Sequence, residues 1–124
     1  MSLISQTPLT ALAEELITIP SLGKTAVSNI TGSTSGKMYL LEIDNTANPD
    51  EDLYLKIADT NSATTGSSAY KLKFKIAANK KQTIVFPMGY EYYSGLSVWV
   101  TKTSPLTSTT GPSSNVIMKV LVTT

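Results

Sequence analysis

Asp44, Asp50, Glu51 and Asp52 lie close together in the chain, and their spacing raises the first question of chemistry. Oxygen-rich loops of this kind can hold calcium. An EF-hand, however, needs acidic or amide groups at alternate positions ahead of a glycine, and this loop does not have them. Asn48-Pro49-Asp50 is a turn sequence in its own right. A solvated turn is therefore the expectation, with no metal site. Paired carboxylates also run glycoside hydrolysis, but here the acids fall in turns or on polar strand faces, and none lies in a segment that reads as a cleft.

Two other groupings carry chemical potential. Lys71, Lys73 and Lys75, on the strand face opposite Tyr70, Leu72, Phe74 and Ile76, form a stripe that could meet phosphates or an acidic partner. The plainer reading is a solvated strand face, or an edge strand guarded by lysine against aggregation. Tyr90, Tyr92, Tyr93 and Trp99 could stack on sugar rings. Aromatic residues are also what subunit interfaces favour, and a subunit interface or corner packing is the preferred reading.

The missing residue types narrow the field further. All ten basic residues are lysines, and the chain has no histidine or cysteine. Without histidine there is no Ser-His-Asp or Cys-His nucleophile system. Without histidine and cysteine, zinc is left with carboxylates alone. Without arginine there is no bidentate clamp for phosphate or carboxylate. The expectation is a protein that is not an enzyme, has no catalytic residue and uses no cofactor. A net charge of +1 gives no field to gather nucleic acid or anionic lipid, so neither is expected as a partner.

These groups must be positioned by strands. The chain is rich in Thr, Ser, Val, Ile and Tyr, and its 124 residues are enough for one domain with its own core. Residues 1–24 read as an arm. Thr10–Ile17 could form two turns of helix, with Leu9, Leu12 and Leu16 on one face, docked on its own domain or on a neighbour. The first residues lack a basic segment and carry Glu14 and Glu15, so no secretory signal is expected. From Thr25 the apolar period becomes two. Strands are expected at 25–31, 37–45, 53–58, 70–76, 82–87, 96–101 and 115–123, with an irregular aromatic loop over 88–93 and mobile polar loops at 59–69 and 102–114. The fold class expected is all-β: a single antiparallel β-sandwich over residues 25–124, jelly-roll-like, with seven to eight strands. A barrel is the alternative.

One pattern points to a partner. Met38 and Leu40 oppose Tyr39 and Leu41, Trp99 opposes Val98 and Val100, and Ile117 and Leu121 oppose Val116, Met118, Val120 and Val122, so the face opposite the main core set is not cleanly polar. A sheet that is apolar on both faces must have the second face covered.

The segments Glu42-Ile-Asp-Asn-Thr-Ala-Asn-Pro49 and Leu53-Tyr-Leu-Lys-Ile57 resemble small virion structural proteins of tailed phages. Phe86-Pro-Met-Gly-Tyr90, Ser94-Gly-Leu-Ser-Val-Trp-Val-Thr101 and Gly111-Pro-Ser-Ser-Asn-Val-Ile117 are similar to the same group. The resemblance covers residues 37–124 and implies a β-sandwich that assembles on a phage particle. The expected role is a capsid decoration or cement protein that binds the major capsid protein or other virion proteins, forms a homo-oligomer and resides in the virion after synthesis in the host cytoplasm. A tail, adaptor, baseplate or fibre component and a carbohydrate-binding module are the alternatives. The expected interface residues are Leu3, Ile4, Leu9, Leu12, Leu16, Tyr90, Tyr92, Tyr93 and Trp99.

Overall fold

A computed structural model describes residues 15–124. Among them the chain forms seven strands: β1 (Glu15–Leu22), β2 (Gly36–Asp44), β3 (Leu53–Asp59), β4 (Leu72–Ile76), β5 (Lys81–Tyr92), β6 (Leu96–Thr101) and β7 (Val116–Thr123). They make two antiparallel sheets, one in the order β1-β7-β2-β5 and the other β4-β3-β6. No helix among the described residues is long and apolar enough to cross a membrane.

The sheets stack through one alternating set of side chains. β7 contributes Val116, Met118, Val120 and Val122, and β2 contributes Met38, Leu41 and Ile43. From the other sheet come Leu53, Leu55 and Ile57 of β3 and Leu96, Val98 and Val100 of β6. All of these side chains are buried. Burying such a side chain fully is worth about 1.5–3 kcal/mol, so this set is what holds the two layers together.

The segment before β2 completes the topology. Val27 and Val98 exchange backbone hydrogen bonds of 2.9 and 3.1 Å. The N–H of Val100 donates to Gly23 O, and that of Ile30 to Leu96 O. Residues 23–30 therefore run along the free edge of β6 as a rudimentary strand, where the sequence predicts a regular one over 25–31. With this segment added, the sheets read β1-β7-β2-β5 and (23–30)-β6-β3-β4, each drawing its strands alternately from the two ends of the chain. This is jelly-roll order.

Three local expectations change. Glu15–Leu22, placed in the sequence-based arm with a helix reaching Ile17, is instead the edge strand beside β7, with Ile19 and Leu22 buried in the core. Ile17, Thr18 and Ile19 are all β-branched, and a ready partner strand outweighs a short helix that is marginal alone. Residues 1–14 of that arm lie outside the described residues. In β2, register slips between Met38 and Leu40 against both neighbours, leaving Tyr39 as a bulge. Met38, rather than Tyr39, thus joins Leu41 and Ile43 in the core, and Leu40 faces outward. Finally, the predicted aromatic loop is largely strand. Gly89 takes a φ of 78°, and β5 resumes beside β2 through Tyr92.

Candidate interaction surface

The outer faces of the two sheets are finished differently. On the three-stranded sheet, Ser97, Trp99 and Thr101 of β6 and Lys56 and Ala58 of β3 point away from the core, yet all are buried. The two long loops cover them. Lys56 Nζ donates to Pro105 O at 2.6 Å and to Thr103 O at 3.4 Å. Thr101 Oγ1 donates to Thr103 O, Thr103 Oγ1 to Ser108 Oγ, and Ser97 Oγ to Thr60 O. The loops at 59–69 and 102–114, expected to be mobile, serve as the lid of this sheet.

Lys56 has no place in the sequence-based site. Burial, and then the neighbouring Lys73, lower its pKa from the usual lysine value. Both ammonium groups stand over the Tyr70 ring, Lys56 at 5.9 Å and Lys73 at 5.5 Å from its centroid. Tyr70 therefore belongs to the lysine face, although the alternation placed it with Leu72 and Phe74. Trp99 is fully buried, and its indole N–H has no protein partner among the described residues.

The acidic residues do not converge. Asp44 accepts from the backbone and hydroxyl of Thr46. Glu51 accepts from the Ser113 backbone N–H at 3.0 Å and from its hydroxyl, and pairs with Lys102 at 3.0 Å. Asp52 pairs with Lys75 at 3.6 Å and accepts from Ala78 N. Among the described residues, no three acidic, histidine or cysteine side chains gather as a metal site would require. Beside them, the buried Asn48 amide donates to Asn45 Oδ1 and Ser114 O and accepts from Ser114 N. This corner ties loops together.

An open cleft of about 370 Å³ lies between Lys24–Ala26, Ala63–Thr65 and Thr109. It offers one lysine and several hydroxyls, with no acid–base pair to drive a reaction.

The expected interface residues separate. Leu3, Ile4, Leu9 and Leu12 lie outside the described residues. Tyr92 and Trp99 have no exposed surface and are not available to a partner in this fold. Tyr90 is half-buried, packed against Phe86 with ring centroids 6.1 Å apart. Tyr93 is exposed, with its hydroxyl on Glu91 and its backbone N–H on Asp59. Leu16 is 58% exposed.

Leu16 is one end of the feature that stands out. It pairs with Leu121 of β7, Leu121 with Leu40 of β2, and Leu40 with Val85 of β5. The outer face of the four-stranded sheet thus carries an unbroken apolar row from edge to edge, and Val85 at the far end is 57% exposed. The next row is Thr18, Lys119, Glu42 and Thr83, all polar. The sequence singled out Met38, Leu40, Trp99, Ile117 and Leu121 as apolar on the face opposite the core set, and of these Met38 is in the core. It could not show that register aligns two of them with Leu16 and Val85.

No protein-family model, curated protein or solved structure matches the chain. What the geometry defines is an all-β, two-sheet module with one outer face sealed by its own loops and the other crossed by an apolar row.

Proposed function

We propose that this chain is a virion structural protein of a tailed phage, a capsid decoration or cement protein that binds head subunits and restrains their separation. The observation that carries this reading is the apolar row Leu16–Leu121–Leu40–Val85 on the outer face of the four-stranded sheet. Contiguous apolar surface of this kind is the mark of assembly with other macromolecules, further copies of the same chain included. The jelly-roll order supports the reading by analogy, since viral capsid proteins use that architecture, as do lectins and cupins. A glycan-binding role has less support, because Tyr92 and Trp99, two of its four aromatic residues, are inside the protein.

The test is the copy number of this protein in purified particles, by quantitative mass spectrometry of separated heads and tails. Many copies in the head fraction are expected. A few copies in the tail fraction would move the protein to a tail, adaptor or baseplate position, and absence from particles would overturn the virion reading.

A further inference from the structure

We infer that the partner of the four-stranded sheet's outer face is a second copy of this chain, packed about a two-fold axis that runs parallel to the strands between β7 and β2. The inference rests on the reading of that face as a contact surface and names its occupant. Such an axis exchanges β7 with β2 and β1 with β5, and leaves position along the strands unchanged. Residues that share a row then meet in mirrored order.

Two adjacent rows fit this operation. In the apolar row, Leu121 meets Leu40 of the second copy and Leu16 meets Val85. In the next row, Lys119 meets Glu42 and Thr18 meets Thr83. In these two rows apolar groups face apolar groups, hydroxyl faces hydroxyl, and cation faces anion, as a self-complementary patch requires, while in the row beyond them Ile117 meets Asp44. Twist turns stacked sheets by about 30°, so register is kept best near the axis, where Leu121, Leu40, Lys119 and Glu42 lie.

Charge favours the same occupant. Lys37, Lys81 and Lys119 on this face are balanced by Glu42, Asp44 and Glu91. A neutral face of alternating sign matches itself better than it matches a strongly charged partner. Neither Lys119 nor Glu42 takes part in the two ion pairs formed among the described residues. At a strand spacing of about 4.8 Å, four strands of about eight residues present a face of about 500 Å² per copy. Two such faces bury about 1,000 Å², the lower end for a specific interface, so association is expected to be weak and concentration-dependent.

Sedimentation equilibrium of the full chain tests this. The expected result is a mass that rises with concentration from 13.3 kDa toward twice that value. Leu121→Glu should leave a folded monomer, checked by circular dichroism. Lys119→Glu alone and Glu42→Lys alone should each weaken association by about tenfold, because each places like charges together twice per dimer. The double reversal, K119E with E42K, should restore it. A chain that stays monomeric at every concentration overturns the inference, and so does a double reversal that fails to recover association. If the full chain is monomeric and deletion of residues 1–14 makes it dimerise, the arm is the occupant and the inference fails. Particle binding keeps the two readings apart. A monomer that needs Leu121 to decorate heads sinks the dimer and leaves the virion role standing. A dimer found in no particle does the opposite.

Discussion

Lys56 and Trp99 stand opposite each other on β3 and β6, both without exposed surface, on the side of the three-stranded sheet that faces away from the core. A buried ammonium normally needs a carboxylate. Lys56 has instead the carbonyls of Pro105 and Thr103, so its charge is held by backbone dipoles of the loop that covers it. Each is needed by the other: the loop shields the lysine, and the lysine satisfies loop carbonyls that burial would otherwise leave unpaired.

A pH experiment reads this directly. Burial, then Lys73, lower the Lys56 pKa in the folded protein. The unfolded chain therefore keeps that proton to higher pH, and between the folded and unfolded values stability rises with pH. In Lys56→Met this contribution is gone, while every tyrosine effect is shared. Wild type should therefore gain stability relative to K56M as pH rises toward about 10.5, where lysine titrates when unfolded. Urea unfolding of both proteins across that range is the measurement. A constant difference would mean that Lys56 is as free to ionise folded as unfolded.

Trp99 should behave as a core residue. Trp99→Ala should cost about 3–5 kcal/mol in urea unfolding, through lost contacts and the cavity left behind. Trp99→Phe should cost much less, because the indole N–H it removes has no protein partner among the described residues. A nearly neutral W99A would place the ring at a surface and revive the partner contact expected from sequence.

The sequence carried the alternation and little of what covers it. Val116, Met118, Val120 and Val122 could be assigned to one face because strands have a period of two, and the same logic marked Leu121 as misplaced. Lys56 defeated that logic, and Trp99, marked with Leu121 as apolar on an outer face, is buried within its own chain rather than against a partner. Period two separates inside from outside only when the outer face meets water, and here the 60–69 and 102–114 loops close over it. Tyr39 failed for a different reason. A bulge adds one residue to a strand, and nothing in Met38-Tyr39-Leu40 marks where the extra residue falls. Leu16 was singled out as an interface residue, but the helix assigned to it hid its place in a cross-strand row.

Asn48 should be the most sensitive polar position. Its amide is buried and joins the loop after β2 to the segment before β7 through Ser114, and it also bonds Asn45. Asn45 in turn donates to Glu51 O and Ala77 O. Asn48→Ala strands donors and acceptors at several points, and a loss of about 2–3 kcal/mol is expected. Thermal unfolding checks this. A cost no larger than that of an ordinary surface substitution would show that the corner re-forms without the amide.

Acid stability should depend on Glu51. The Ser113 hydroxyl and backbone N–H, then Lys102, hold its carboxyl down to about 2, from the usual 4.5. A carboxyl whose folded pKa is depressed contributes stability that is complete above the unfolded value and is lost as pH falls toward the folded one. That window runs from about 4.5 down to about 2. Glu51→Gln keeps the shape but cannot titrate, so its stability should fall less steeply than wild type across the window. Ser113→Ala removes the hydroxyl that contributes most, so the Glu51 carboxyl should titrate at higher pH, as read from its side-chain carbon resonance. Both proteins should unfold with the same acid dependence as wild type if the Glu51–Ser113 contact does not persist in solution. The two measurements together separate a carboxylate that ties the 111–115 segment to the loop before β3 from one that is merely near it.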